Sequence, residues 1–244
     1  MAKKKAVAQT PKQEINIMFV IDVSGSMYGQ NLDAVNDAVR NVINAMQGVP
    51  GVGKDAVIKL SALEFGDSAH WTTAEPPIAS DFVWTDAKPN GGTNLSAACD
   101  ALDSWLKIEA DGGKMSELYS QPPVIILLTD GLPTSIDWEA RLAALNGNPW
   151  FDAALKYALA IDIDVSEALD VLRKFTGDKE TVLKVKSPQA IKDVISVVSE
   201  ISAAKFVEYA ATPDMSKSEE GTDINKITKD KIAEKIAGIG GVSN

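Results

Sequence analysis

The chain has 244 residues, a net charge of −10, 45% hydrophobic and 24% charged residues, and only one Cys (Cys99) and one His (His70). Such an acidic chain is not drawn to nucleic-acid phosphate or an anionic membrane. One thiol and one imidazole exclude an intramolecular disulfide and the Cys/His zinc sites, so any metal chemistry must be oxygen chemistry with a hard cation.

Residues 1–13 carry four lysines and no acid and read as a flexible basic arm. No apolar stretch of secretory length follows Met1, and no run is long enough to cross a bilayer, so a soluble cytoplasmic chain is expected. Ile15–Ile21 is nearly continuous in apolar residues and suits a strand buried on both faces. Asp22–Gly29 reads as a loop. From Asn31, Leu32, Val35, Val39, Val42, Ile43 and Met46 recur at helical spacing. Ala56–Phe65 is a second strand, Gly66-Asp67-Ser68 a turn, and Ala69–Ala74 a candidate hairpin partner.

A polar, proline-bearing connection ends at Gly91-Gly92-Thr93. Leu95–Ile108 is helical, with Cys99 on its apolar face, where a buried inert thiol is expected. Val124–Thr129 is the most apolar run and belongs at the centre of a sheet. Trp138–Leu145 is a short helix in which Trp138 is expected to pack. Residues 155–163 are a strand and Ser166–Phe175 a helix capped by Ser166. Thr181–Val185 is the last strand, followed by the helix Pro188–Ala204 with Ser187 as its cap. His70 is expected to be an exposed structural residue. Alternating strands and helices imply an open, doubly wound α/β sheet, mostly parallel, with helices on both faces. The apolar order divides the chain into a domain over 14–210 and a linker with a short amphipathic tail over 211–244. The tail's isoleucines (Ile224, Ile227, Ile232, Ile236, Ile239) leave three fates open: a partner's groove, its own domain, or disorder.

Open parallel sheets bind ligands at the carboxyl ends of their central strands. Three segments reach that edge with oxygen-bearing side chains: Asp22-Val-Ser24-Gly-Ser26, Gly91-Gly92-Thr93 and Thr129-Asp130-Gly131. The D-x-S-x-S spacing, with Gly25 inside, lets Asp22, Ser24 and Ser26 converge, and Thr93 and Asp130 complete three hydroxyls and two carboxylates. That set suits Mg²⁺, which keeps several waters, with Mn²⁺ or Ca²⁺ as other hard cations of the same chemistry. Tyr28, Gln30, Thr134 and Asp137 lie in the flanking loops and are candidate partner contacts.

Asp22-x-Ser24-x-Ser26, Gly-Gly-Thr93 and Thr-Asp130-Gly together resemble the metal-ion-dependent adhesion site (MIDAS) of von Willebrand factor A (VWA) domains. The resemblance covers roughly residues 14–210. Asp22-Val-Ser-Gly-Ser-Met-x-Gly, Asn90-Gly-Gly-Thr-Asn-Leu95 and Leu128-Thr-Asp-Gly-Leu-Pro-Thr134 with Asp137-Trp138 look most like the bacterial tellurium-resistance-associated, TerY-like branch. This resemblance implies a three-layer, Rossmann-like sheet with one antiparallel edge strand, here Ala69–Ala74. It also implies a non-enzymatic module whose Ser24, Ser26 and Thr93 ligate the ion, with Asp22 and Asp130 acting directly or through water. The captured group would be an Asp or Glu of a protein partner, and in that branch the domain is often encoded beside a kinase-like protein and a protein phosphatase, which it is taken to scaffold or regulate. The competing reading is a Mg²⁺-dependent phosphatase or phosphotransfer protein on a similar fold. It lacks an acid at position 24 and a lysine directly at the three strand ends, although Lys88 is near Thr93. A third is a structural subunit with an incidental site.

Overall fold

The computed structural model describes residues 12–49, 56–211 and 224–243. The basic arm, up to residue 11, and the linker, 212–223, therefore lie outside the described residues. The seven strands are β1 (Gln13–Asp22), β2 (Ala56–Phe65), β3 (Ala69–Trp71), β4 (Val124–Thr129), β5 (Leu155–Ile161), β6 (Val182–Val185) and β7 (Val242–Ser243). They form one sheet in the order β3-β2-β1-β4-β5-β6-β7, with β4 at its centre. The helices are α1 (Gln30–Met46), α2 (Leu95–Trp105), α3 (Trp138–Asn146), α4 (Pro149–Asp152), α5 (Ser166–Thr176), α6 (Pro188–Ala210) and α7 (Ile224–Ile236).

Two cores explain why the central strands are apolar without a break. On one face Ile17, Phe19 and Ile21 of β1 pack with α1, α6 and α7. On the other, Met18 and Val20 pack with α2, α3 and α5. Each such fully buried side chain stabilises the fold by about 1.5–3 kcal/mol. Phe151 of the short α4, which the sequence reading passed over, is fully buried edge-on to Phe175 at 5.3 Å. Asn148 caps α4 by accepting from the amides of Trp150 and Phe151.

Several expectations change. The helix after Thr93 ends at Trp105, not Ile108, and the final domain helix runs on to Ala210. Ser166 is the first residue of α5 rather than its cap; Val165 holds that position, and the Ser166 hydroxyl donates to Glu167 instead. Ser187 does cap α6, accepting from the Ala190 amide at 3.1 Å. The sheet has two antiparallel edge strands, because β7 pairs with β6 as β3 does with β2. Of the three fates left open for the tail, residues 224–243 take the second. Ile232 and Ile236 of α7 are buried in the α6 face, and the β7 strand closes the sheet.

Cys99 is buried, and burial pushes its thiol up to about 12, so it is inert. His70 is exposed beside Glu64, 3.4 Å from its carboxylate. Burial raises the Glu64 carboxyl above its ordinary value, and His70 offsets part of that rise. A raised folded pKa contributes stability at low pH that is lost as pH rises through it. Glu64→Gln is therefore expected to raise the melting temperature at pH 7, by an amount that shrinks as pH falls into the ordinary carboxylate range. A gain that stays constant from pH 7 to pH 4 would contradict this account.

Candidate metal centre

The parallel pairing of β1 with β4 sets Ile21 opposite Leu128, so Asp22 ends its strand beside Thr129. The Asp22 side chain is fully buried. Its Oδ1 accepts from the Ser24 amide at 2.8 Å and its Oδ2 from the Thr129 hydroxyl at 2.5 Å. The first bond tightens the turn and brings Ser24 Oγ within 3.1 Å of Ser26 Oγ. Ser26 Oγ in turn donates to Asp130 Oδ1 at 2.7 Å. Ser24, Ser26 and Asp130 thus form a continuous line of oxygen atoms across two neighbouring strand ends, and Asp22 joins it through the Ser24 amide.

Thr93 arrives from a different part of the chain and is held by three others. Its carbonyl accepts from the Thr134 amide at 2.9 Å, and its own amide donates to Thr134 Oγ1 at 3.2 Å. The Gly25 amide donates to the Gly91 carbonyl at 3.0 Å, tying the glycine pair to the serine turn. Asp67 Oδ1 accepts from the Gly92 amide at 2.7 Å. Gly91 has φ +76°, and a Cβ there would lie 2.2 Å from the Asp67 carboxyl carbon, so only glycine lets that carboxylate sit against the loop. A Cβ on Gly131 would lie 4.0 Å from Thr93 Oγ1, which puts the Thr93 hydroxyl next to the Asp130-Gly131 turn.

The electrostatics fit a cation. Burial raises the carboxyls of both Asp22 and Asp130; hydrogen bonds from Thr129 and Ser24 offset part of the first shift, and one from Ser26 part of the second. Each carboxylate also feels a like charge, Asp22 from Asp130 and Asp130 from Asp162. Neither forms a salt bridge among the described residues. Desolvated like charges without a countercharge are costly, and a bound divalent ion removes that cost. Among the described residues no group of three His, Cys, Asp or Glu side chains is placed to hold a metal, so a site here would draw on hydroxyl, carbonyl or water oxygens beside the two carboxylates.

The four partner-contact candidates separate. Tyr28 is 78% exposed and Gln30 is exposed. Thr134 clamps Thr93, and Asp137 accepts from Ser96 Oγ at 2.6 Å and from Arg141 Nε at 3.1 Å, bonds that hold its carboxyl below its ordinary range. Trp138 packs against the α2/α3/α5 core, with Lys174 Nζ 5.2 Å above its ring. Sequence reasoning missed three contributors. Thr129 orients Asp22, Asp67 braces the Thr93 loop, and Asp162 at the end of β5 charges the neighbourhood of Asp130. Asp162 is the only non-glycine with positive φ (54°) among the described residues. Its position one strand over from Asp130 was a usable signal; the other two contacts span 107 and 25 residues and left none.

Residues 17–132 match the family model of the von Willebrand factor type A domain. The fold is the VWA fold. The chain is 33% identical over 121 residues to inter-alpha-trypsin inhibitor heavy chain H1 of Mesocricetus auratus, and 30% identical over 124 residues to the Homo sapiens protein of that name. These matches cover 49% of this chain and 13% of each relative, so the chain spans a small fraction of the proteins it matches. Two solved structures share the fold at low identity. A von Willebrand factor type A protein from Catenulispora acidiphila aligns at TM-score 0.56 and 16% identity, covering 79% of this chain and 43% of that one. Proximal thread matrix protein 1 from the mussel byssus, solved with a zinc-occupied MIDAS motif, aligns at TM-score 0.55 and 17% identity, covering 79% and 46%. VWA domains are typically metal-dependent protein-interaction modules. No helix among the described residues is long and apolar enough to cross a membrane.

Asp67→Ala frees the Gly92 amide without touching the oxygen line itself. It is expected to weaken divalent-cation binding about 10–100-fold, the usual cost of losing an outer support, with little loss of stability. Calorimetric titration with Mg²⁺ alongside thermal melting in EDTA checks both halves.

Proposed function

We propose that this VWA domain is a metal-dependent protein-binding module in which Asp22, Ser24, Ser26, Thr93 and Asp130 hold a hard divalent cation, Mg²⁺ before Mn²⁺ or Ca²⁺. The observation that carries the reading is the line of oxygens from Ser24 through Ser26 to Asp130, joined to Asp22 through the Ser24 amide, with burial raising both carboxyls and no salt bridge to either among the described residues. A divalent ion held there supplies a Lewis-acidic position that a partner's Asp or Glu can occupy. The chain's own residues do the rest. Thr129 and the Ser24 amide fix Asp22, Ser26 ties the serine turn to Asp130, and Thr134 with Asp67 fixes Thr93. The arrangement holds and presents: the Ser26 hydroxyl and the Asp130 carboxylate are bonded to each other, and position 24 carries a serine where a phosphoaspartate phosphatase needs a second acid, which favours binding over catalysis. The motif resemblance to the TerY-like branch supports a scaffolding or regulatory role in a bacterial, cytoplasmic tellurium-resistance or phosphorylation-linked system, with a kinase-like protein or a phosphatase as partner.

The test is an affinity capture by the full chain in Mg²⁺, in EDTA, and with Ser24→Ala. Proteins held in Mg²⁺ and released by both EDTA and the substitution support the reading. Capture indifferent to both, or hydrolysis of a generic phosphate ester that Ser24→Ala abolishes, sinks it.

A further inference from the structure

Eight large hydrophobic side chains are substantially exposed among the described residues, and four of them share one edge of the sheet. Tyr28 (78% exposed) stands between β1 and α1, Leu132 (46%) and Ile136 (102%) between β4 and α3, and Val165 (54%) between β5 and α5. Strands β1, β4 and β5 are adjacent, so these are three neighbouring loops at their carboxyl ends, two of which also carry Asp22, Ser24, Ser26 and Asp130. Loops of this kind are ordinarily polar, and apolar side chains gathered around a polar site mark an interaction surface. Ile136 is as exposed as in an extended chain, so its apolar surface gains nothing from this domain's own packing.

The charge at this edge narrows the partner. Asp162 is exposed there, just past the end of β5 and one strand over from Asp130. Asp164, nearby, is answered by Lys186, and Asp137 by Arg141. Once a cation has met one incoming carboxylate, a second negative charge on the partner faces Asp162 with no spare basic side chain among these. Resting on the metal-site reading above, we propose that the edge binds a loop or terminus of another protein in which a single Asp or Glu is flanked by large apolar side chains. The carboxylate goes to the metal position, and its neighbours cover Tyr28, Leu132, Ile136 and Val165. A cluster of acids is expected to bind more weakly, because it would face Asp162.

A displayed library of nonapeptides with a fixed central Asp, selected on the full chain in Mg²⁺, tests this. Large apolar residues are expected to be enriched at least about threefold beside the Asp, and acidic ones depleted. An enriched peptide is expected to bind the Ile136→Ser/Val165→Ser variant about tenfold more weakly, while calorimetric Mg²⁺ affinity is unchanged. Both positions are exposed, so the variant is expected to fold. Absence of enrichment, selection of polar or charged flanks, or undiminished binding by the variant overturns the proposal while leaving the metal reading intact. Peptides that bind as well in EDTA, or with Asn for the central Asp, defeat the metal reading itself. If the chain proves dimeric and the variant monomeric, the surface belongs to a second copy and the proposal falls.

Discussion

Asp22→Asn is expected to abolish divalent-cation binding while leaving the metal-free chain at least as stable as the wild type. The Asp22 carboxylate is fully buried, burial pushes its pKa up, and Asp130 adds a like charge. Folding without metal therefore carries a desolvation cost that the bonds from Thr129 and Ser24 only partly offset. Asparagine keeps the useful half of the geometry. One oxygen can still accept from the Ser24 amide, and the amide nitrogen can donate to Thr129 Oγ1, which today donates to Asp22. The charge is lost, and with it the attraction for a cation. In EDTA the variant is expected to melt at or above the wild-type temperature. With Mg²⁺ at about 100 times its dissociation constant the wild type gains roughly 2.7 kcal/mol, and the variant gains nothing. For a domain near this size each kcal/mol moves the midpoint by about 2–4 °C, so the crossing is measurable by calorimetry. A variant that still binds Mg²⁺ within tenfold of wild type would remove Asp22 from the site.

Gly66→Ala is expected to cost about 2–3 kcal/mol and to weaken cation binding at the same time. The Gly66 carbonyl accepts from the Asn94 amide at 2.8 Å, which draws the end of β2 against the loop that carries Thr93. A Cβ at position 66 would sit 1.8 Å from the Asn90 carbonyl oxygen. That neighbour is backbone, and it cannot swing aside as the end of a flexible side chain would. The loop must move as a unit, and Thr93 moves with it. Gly131→Ala is the control. Its Cβ would meet nothing closer than Thr93 Oγ1 at 4.0 Å, an ordinary contact, so stability is expected to hold. Denaturant melts with Mg²⁺ titrations on both variants decide the matter. A Gly66→Ala chain with wild-type stability would show that the loop yields freely and that the packing described here does not hold Thr93 in place.

Why the proposed ligands were legible, and their supports were not, follows from how each is encoded. Asp22, Ser24 and Ser26 lie within five consecutive positions, and Thr93 and Asp130 each stand in a short stretch with flanking glycine. Polar residues ending an apolar run need no partner to be noticed. Thr129 and Asp67 look like ordinary strand and turn residues, and Thr134 reads as a candidate partner contact rather than as the support of Thr93. Their importance comes from bonds to Asp22, Gly92 and Thr93, which are 107, 25 and 41 residues away. The same division runs through the fold. Ala56–Phe65 and Val124–Thr129 were readable because burial on both faces demands continuous apolar sequence. The helix Ile224–Ile236 was not assignable, since its sparse isoleucine stripe satisfies a partner's groove as well as its own domain. The free β6 edge and the α6 surface decide that it folds back.

The sequence by itself determined the doubly wound α/β class, the order of its main elements, and the five oxygen-bearing residues at one sheet edge. It did so because these depend on local spacing and on the apolar period within single elements. The tertiary structure alone decided that Ser26 and Asp130 share a hydrogen bond, that Thr134 holds Thr93, and that β7 becomes a second antiparallel edge. It also decided that Tyr28, Leu132, Ile136 and Val165 share one edge. Each of these is a contact or neighbourhood between distant segments, and it exists only once strand order and register have been set by the packing of both cores.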